Sequence, residues 1–150
     1  MGDRIDYLFQ EWYRLGRAVL LAQIDSSIPE RPPEQVIAES TAYCRDSGRL
    51  TWAVLGWLVR HVDQIDAQAL LEETSKTGDL SVLGVLCDAA LQKNPHTTFT
   101  QIIRRCPIPD KIEPFFQRVV CSPLALALTR ENALALFERW SCLYSELRYL

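Results

Sequence analysis

The architecture of this chain follows from residues 50–62, which read Leu-Thr-Trp-Ala-Val-Leu-Gly-Trp-Leu-Val-Arg-His-Val. On a helical wheel of about 100° per residue, the apolar side chains of this segment cover more than half of the circumference. A narrow strip of small or polar residues is formed by Ala53, Gly56 and Arg60. A helix that is apolar on most sides must be enclosed by other elements. We therefore expect Trp57 and Leu58 to be buried at the centre of the protein.

The length and composition favour one folded domain over residues 1–150. A chain of 150 residues with 48% hydrophobic and 23% charged residues can bury a core without disulfides or metals. Its first residues are charged and lack the apolar segment of a signal peptide, and no apolar run approaches the ~18 residues of a membrane span. The five cysteines lie mostly in apolar helical patterns, which is typical of reduced, buried thiols in a cytoplasmic protein.

Apolar residues recur at helical spacing along most of the chain, and no segment shows the sustained alternation of a half-buried strand. Asp3, Asp66, Asp79 and either Thr97 or Thr98 are expected to cap helices, and prolines mark the loops. The predicted helices cover residues 3–24, 34–45, 50–62, 67–76, 80–93, 99–105, 112–121 and 130–149. Three anchors of the core are expected to be Trp12, either Trp52 or Trp57, and Trp140. The predicted fold is all-α, a single-domain orthogonal bundle or a short helical-hairpin array of roughly six to eight helices.

A short internal repeat links the third and fifth predicted helices. The segments Val54-Leu55-Gly56-Trp57-Leu58 and Val82-Leu83-Gly84-Val85-Leu86 share the pattern Val-Leu-Gly-x-Leu. One amphipathic helix separates the two copies, and this arrangement resembles helical-hairpin arrays of the HEAT and armadillo type. The resemblance is one of architecture and implies no functional residue.

The matched glycines predict close packing between these two helices. A glycine inside a helix costs about 0.8–1 kcal/mol relative to alanine, so two at matched positions suggest a close approach. A charged residue, Arg60 or Asp88, follows four positions after each glycine. We expect the helices to lie side by side with an Arg60–Asp88 ion pair. The alternative is that Arg60 reaches water while Asp88 bonds a loop.

No residue pattern in the sequence predicts a catalytic centre. His61 lies near two carboxylates, Asp63 and Asp66, but a zinc site needs three or four ligands at recognisable spacing. A core histidine bonded to a backbone carbonyl is the favoured interpretation of His61. Nothing near Cys44 or Cys106 would activate a nucleophile, and isolated glycines do not form a phosphate-binding loop. We therefore expect neither a metal nor a cofactor.

The predicted partner-binding site lies around the turn before the third helix and consists of Tyr43, Arg45, Arg49 and Trp52. Arginine and tryptophan are enriched at the centres of protein interfaces. The alternative is that Tyr43 and Trp52 belong to the core, while the arginines stabilise the C-terminal end of the second helix. A second basic pair, Arg104-Arg105, has the same alternative explanation.

The sequence favours a non-enzymatic protein-interaction module, a regulatory or adaptor subunit with a protein partner and no membrane contact. The net charge of −3 and the scattered arginines argue against a general nucleic-acid binder. A nucleic-acid-linked regulator or antitoxin-like partner stays open, and it would require Arg45, Arg49, Arg104 and Arg105 to converge on one face. A helical enzyme with a site not visible in the sequence also stays open, as does a homo-oligomer.

Overall fold

The computed structural model describes residues 2–15, 31–109, 113–115, 140 and 142–143, and this part of the chain has an all-α fold. Its helices are α1 (Gly2–Arg14), α2 (Pro33–Thr41), α3 (Gly48–His61), α4 (Ala67–Thr77), α5 (Leu80–Lys93) and α6 (Thr97–Ile103). Two 3-10 turns, Cys44–Asp46 and Val62–Gln64, flank α3. Two-residue strands, β1 (Glu113–Pro114) and β2 (Cys142–Leu143), pair in parallel. The predicted fold class is confirmed, and none of the described helices is long and apolar enough for a membrane crossing.

Contacts between helices two apart in the chain, such as α2 with α4 and α3 with α5, divide the described helices into two layers. One layer contains α1, α3 and α5, and the other contains α2, α4 and α6. Contacts between helices of different layers, such as α1 with α2 and α5 with α6, join the layers together. This alternation is the packing expected of helical hairpins that stack on their neighbours. It is therefore compatible with the array predicted from the internal repeat.

Helix α3 lies within the hydrophobic core, as predicted. Residues 50–58 are all buried, and Trp57 and Leu58 are 1% and 0% exposed. The Trp57 ring meets the Trp12 ring edge-on with centroids 5.9 Å apart, and Trp57 Nε1 donates a hydrogen bond to the Leu15 carbonyl at 3.1 Å. Trp52 and Trp140 are buried too, so all of the candidate tryptophan anchors belong to the core.

Side-chain caps fix the starts of several helices. The Asp66 carboxylate accepts hydrogen bonds from the Gln68 and Ala69 amides, and the Asp79 carboxylate accepts them from the Ser81 and Val82 amides. These two predicted caps are confirmed. Each carboxylate satisfies backbone donors that have no partner within the first helical turn.

Two other predicted caps are wrong. His96 precedes α6, and its Nδ1 accepts a hydrogen bond from the Thr98 amide at 3.1 Å, so neither threonine is the cap. The imidazole nitrogen of His96 accepts the hydrogen bond that the hydroxyl of a capping threonine would accept. At the other end of the chain, α1 begins at Gly2, so Asp3 lies inside the helix.

The ends of the first two predicted helices differ in what the structure shows of them. Helix α1 is described over Gly2–Arg14 with Leu15 in a turn, and the rest of its predicted range, residues 16–24, lies outside the described part. Helix α2 ends at Thr41 rather than residue 45, because the amides of Ala42 and Tyr43 bond to carbonyls only three residues back. These tighter bonds lead the chain into the 3-10 turn Cys44–Asp46.

The helices predicted at residues 112–121 and 130–149 are wrong where the structure describes them. Strand β1 occupies Glu113–Pro114, and strand β2 occupies Cys142–Leu143. The two strands pair with each other in parallel, so these residues are extended and not helical. Trp140 lies in a turn just before β2. Phe115 lies in a bend after β1, and the remaining residues of both predicted helices lie outside the described part.

Helices α3 and α5 contact each other, as predicted. The residue that lies closest to Gly84, however, is Trp140. A Cβ atom added at Gly84 would lie 2.3 Å from Cζ3 of the Trp140 ring. Trp140 Nε1 also donates a hydrogen bond to Asp88 Oδ2 at 2.9 Å. Arg60 is exposed, and no ion pair joins these two described residues, Arg60 and Asp88. The predicted ion pair is therefore wrong, because the indole N–H is the group that meets the Asp88 carboxylate.

Candidate functional site

The four residues of the predicted partner-binding site lie at the turn that leads into α3. Tyr43 precedes the 3-10 turn, Arg45 lies within it, and Arg49 and Trp52 lie in the first turns of the helix. Thr51 Oγ1 lies 2.7 Å from the Cys44 carbonyl and 3.0 Å from the Ser47 carbonyl. The Ser47 hydroxyl caps α3 by accepting a hydrogen bond from the Leu50 amide. These bonds hold the turn against the helix and fix the backbone that carries both arginines.

Arg49 is held over an aromatic ring of α1. Its guanidinium carbon lies 4.3 Å from the centroid of the Phe9 ring. Phe9 is buried, whereas the Arg49 side chain is exposed. An exposed contact of this kind is worth about 0.5–1 kcal/mol, because the ring face attracts the cation. The guanidinium is therefore positioned at the surface by a ring that belongs to the core.

Arg45 is held in the same manner by a ring that follows α6 in the sequence. Its guanidinium carbon lies 5.5 Å from the centroid of the Phe115 ring. Phe115 is buried, and Arg45 is half-buried. The two predicted arginines therefore each cover an aromatic ring. Phe9 precedes α3 in the sequence, and Phe115 follows it.

Tyr13 extends this surface along α1. It lies four residues after Phe9, so the two are neighbours on the helix, and it is 43% exposed. Tyr43 is half-buried, and Trp52 is buried in the core, where it supports the first turns of α3 from below. We call the following residues the arginine–aromatic surface: Phe9, Tyr13, Tyr43, Arg45, Arg49 and Phe115.

Sequence reasoning identified the arginines of this surface but missed the three residues Phe9, Tyr13 and Phe115. The spacing of Phe9 and Tyr13 along α1 is a usable signal, because aromatic residues four apart share a helical face. No local signal points to Phe115, since only the folded chain brings it beside Arg45.

An ionic network fastens α1 to α2. Arg31 donates hydrogen bonds to both carboxylate oxygens of Glu11, at 2.8 and 2.6 Å, and to Glu39 Oε1 at 3.1 Å. Arg4 donates to both oxygens of Glu39. Burial acts to raise the pKa of Glu39, but the hydrogen bonds and charges of Arg4 and Arg31 outweigh it and lower that pKa. The bond to Glu11 is the largest cause of a raised pKa at Arg31. The network makes the position of α1, and hence of Phe9 and Tyr13, depend on α2.

The second basic pair, Arg104 and Arg105, lines a hollow between α4 and the end of α6. The hollow has a volume of about 330 Å³ and is also lined by Ala67, Gln68, Leu71 and Gln101. Arg105 Nη1 donates a hydrogen bond to Gln68 Oε1 at 2.6 Å. Arg45 and Arg49 do not line this hollow. Within the described residues, the four arginines therefore divide between two separate sites.

Three cysteines of the helical part are poorly suited to nucleophilic chemistry. Cys44, Cys87 and Cys106 are buried free thiols. Burial raises the pKa of Cys44 and of Cys106 to about 12, and it raises the pKa of Cys87 as well. These side chains are therefore protonated at neutral pH, whereas the thiolate is the nucleophilic form.

His61 is a packing residue of α3 rather than part of a metal cluster. Its Nδ1 lies 3.3 Å from Gln64 Nε2, and its ring centroid lies 5.1 Å from that of Trp57. The predicted bond to a backbone carbonyl is wrong, because the 3-10 turn after α3 brings Gln64 to the ring instead. Among the residues that the structure describes, no group of three or more His, Cys, Asp or Glu could hold a metal ion.

Comparisons of the chain with protein-family models, with curated proteins and with solved structures found no match.

Proposed function

We propose that the protein is a non-enzymatic interaction module, a regulatory or adaptor subunit, that binds a protein partner through the arginine–aromatic surface. One observation carries the proposal: the exposed Arg49 guanidinium lies 4.3 Å from the Phe9 centroid, beside the exposed Tyr13 one turn further along α1. Arginine and aromatic side chains dominate the binding energy of many protein interfaces. A guanidinium already held by a ring also loses less conformational entropy when it binds.

The chemistry of this surface defines the partner that it fits. A guanidinium donates paired hydrogen bonds to a carboxylate and stacks on aromatic rings, and the tyrosine adds apolar area with a hydroxyl at its end. We therefore expect a protein partner that presents carboxylates or aromatic rings to Arg49 and Tyr13. Arg45 and Trp52 support the surface from inside the protein, because both are at least half-buried.

The two alternative functions have less support from the described geometry. A nucleic-acid-linked regulator needs its four arginines on one face, and these residues line two separate sites. A helical enzyme whose site is not visible in the sequence would need an activated group, and burial raises the pKa of Cys44 and of Cys106 to about 12, which argues against these two thiols as its nucleophile. The proposal places the module in the cytoplasm, where reducing conditions maintain free thiols such as Cys44, Cys87 and Cys106.

Affinity capture from the native cell tests the proposal. The wild-type protein, a Tyr13→Ala/Arg49→Ala variant and an Arg60→Ala control would be used as baits, and captured proteins would be quantified by mass spectrometry. Arg60 is a matched control because it is an exposed arginine at the opposite end of the same helix. We expect a partner that the wild type and the control retain and that the double variant loses by about tenfold or more, as for a hot-spot pair.

Direct titration of the captured partner against each purified variant would confirm this loss. Equal affinity for all three proteins would contradict the proposal, as would capture that depends on nucleic acid and disappears after nuclease treatment. Thermal unfolding would verify that the double variant is folded.

A further inference from the structure

The hollow at Arg104 and Arg105 has the chemistry of an anion-binding site. Both arginine side chains are exposed, and the carboxamides of Gln68 and Gln101 lie beside them. The floor of the hollow is apolar and consists of Ala67 and Leu71. A carboxylate entering the hollow would meet two cations and additional hydrogen-bond donors in one place.

No acidic side chain lines the hollow among the described residues. Gln68 Nε2 donates a hydrogen bond to Glu72 Oε1 at 3.0 Å, so this carboxylate is joined to the hollow through the amide and does not line it. Arg105 is joined to the other end of the same amide through Gln68 Oε1. Within the described part of the chain, no hydrogen bond or ion pair engages the Arg104 guanidinium.

An apolar groove adjoins the hollow, and Arg104 lines both. The groove has a volume of about 490 Å³. Its apolar lining consists of Leu91, Ile103, Ile108 and Trp140. Ile108 is 59% exposed, and it and Tyr13 are the large hydrophobic side chains that stand out into solvent in the described ranges. Asp88 lies in the wall of the groove, where its carboxylate already accepts the hydrogen bond from Trp140 Nε1.

We propose that the hollow and the groove together bind a peptide segment of a partner protein in which Asp or Glu lies within a few residues of Ile, Leu or an aromatic residue. The acidic side chain pairs with Arg104 and Arg105, and the apolar side chain packs on Ile108 and Ile103. Charge complementarity selects this occupant, because a basic peptide would meet two arginines. The Asp88 carboxylate and the apolar wall disfavour a nucleic-acid phosphate in the groove.

This site goes beyond the proposed function, because it is formed by other residues than the arginine–aromatic surface and does not depend on Arg49. A peptide that binds at Arg104 would therefore retain its affinity for an Arg49→Ala variant. The two proposals can fail or succeed separately.

A phage library of random 12-residue peptides, selected against the full chain, provides the probe. Enriched peptides would be synthesised with a fluorophore, and their Kd values would be measured by fluorescence anisotropy. Four variants would be compared with the wild type: Arg104→Gln, Ile108→Ser, Arg60→Gln and Arg49→Ala. The substituted side chains at Arg104, Ile108 and Arg60 are all exposed, and thermal unfolding would check the fold of each variant.

We expect the enriched peptides to share an acidic residue close to an apolar one. Arg104→Gln and Ile108→Ser should each weaken binding about tenfold, since each removes one of the two contacts. Arg60→Gln and Arg49→Ala should leave the Kd within about twofold of the wild type, as remote surface substitutions do. Added salt should weaken the wild type more than Arg104→Gln.

Three results would overturn the proposal. The first is an absence of any shared motif, or a motif without an acidic residue. The second is an equal loss of affinity in the Arg104→Gln and Arg60→Gln variants. The third is a 12-nucleotide oligouridylate RNA that binds more tightly than every selected peptide and depends on Arg104, which would assign the hollow to nucleic acid.

Discussion

Glu11 shows how strongly a single partner changes the environment of a charged residue. The helical spacing of α1 places Glu11 on the polar side, yet its side chain is 3% exposed. Arg31 makes this burial tolerable by donating hydrogen bonds to both carboxylate oxygens. Arg31 belongs to the segment before α2, so the pattern along α1 could not reveal the pair. Burial of a charge depends on a contact that local sequence does not encode.

Replacement of Glu11 by Gln should destabilise the protein by about 3 kcal/mol, the usual loss when one member of a buried ion pair is removed. The reason is that the partly buried Arg31 guanidinium would lose the carboxylate that accepts two of its hydrogen bonds and would keep only Glu39. Urea unfolding would measure the free energy. Glu72→Gln is the matched control, since Glu72 is exposed, and it should cost less than about 0.5 kcal/mol. Equal losses in the two variants would show that the network is unimportant.

Gly84 supplies a second prediction at the scale of one residue. Alanine favours a helix by about 1 kcal/mol over glycine, but a Cβ atom at this position would lie 2.3 Å from the Trp140 ring. The clash should outweigh the helix preference, so we expect Gly84→Ala to destabilise the protein by about 1–3 kcal/mol. Thermal or urea unfolding would measure the change.

A double-mutant cycle with Trp140→Phe tests the cause of this loss. The smaller ring leaves room for the added methyl group, so Gly84→Ala should cost less in that background. A cost that is the same in both backgrounds would mean that the loss does not come from the contact with Trp140.

At the scale of elements, capping residues predicted the starts of α4 and α5, because a carboxylate just before a helix satisfies amides only a few residues away. The errors come from contacts between distant segments. Helix α2 ends early at a tight turn, and Glu113–Pro114 and Cys142–Leu143 are extended because these two strands pair with each other. Neither event has a signature within the segment itself.

Removal of the Asp79 cap should destabilise the protein by about 1 kcal/mol. Asp79 Oδ1 accepts hydrogen bonds from the Ser81 amide at 3.0 Å, the Ser81 hydroxyl at 2.7 Å and the Val82 amide at 3.3 Å. Asp79→Ala leaves these donors at the start of α5 without their acceptor. Asp79→Ser, whose hydroxyl can accept in its place, should lose less than half as much in the same urea titration. A larger loss for serine than for alanine would refute the cap.

At the scale of the whole molecule, the sequence predicted the all-α fold and the packing of its central helices better than the site. The burial of α3 and its contact with α5 followed from the apolar character and the repeat of those helices. Arg45 and Arg49 were identified from composition, yet the rings beneath them come from α1 and from the segment after α6. A pairing between residues so far apart in the chain cannot be deduced from one sequence.

The pH dependence of stability also belongs to this scale, and its sign differs at the two ends of the range. Folding raises the pKa of Cys44 and Cys106 to about 12, above the ~8.5 of an unfolded thiol. Their contribution to the free energy of unfolding is therefore complete below about pH 8.5 and is lost as pH rises towards 12. Folding lowers the pKa of Glu39, so its contribution is complete above about pH 4.3, the unfolded value, and is lost as pH falls through the folded pKa.

The free energy of unfolding should therefore be greatest between about pH 5 and pH 8.5. Urea titrations across the pH range would measure it, and Cys106→Ala should flatten the decline on the alkaline side. A decline that is identical in this variant and in the wild type would show that other groups cause it. Glu39→Gln is the corresponding test on the acid side, and it should remove part of the acid dependence.

The alternation of the two layers has a consequence for how the chain reaches its fold during synthesis. Helices α4 and α5 contact α2 and α3, and α6 contacts α5, so each of these helices meets a partner that has already left the ribosome. Helix α4 can dock as soon as it has emerged, because α2 precedes it, and α5 then closes over α3 in the same way. The order of translation is thus also an order of assembly.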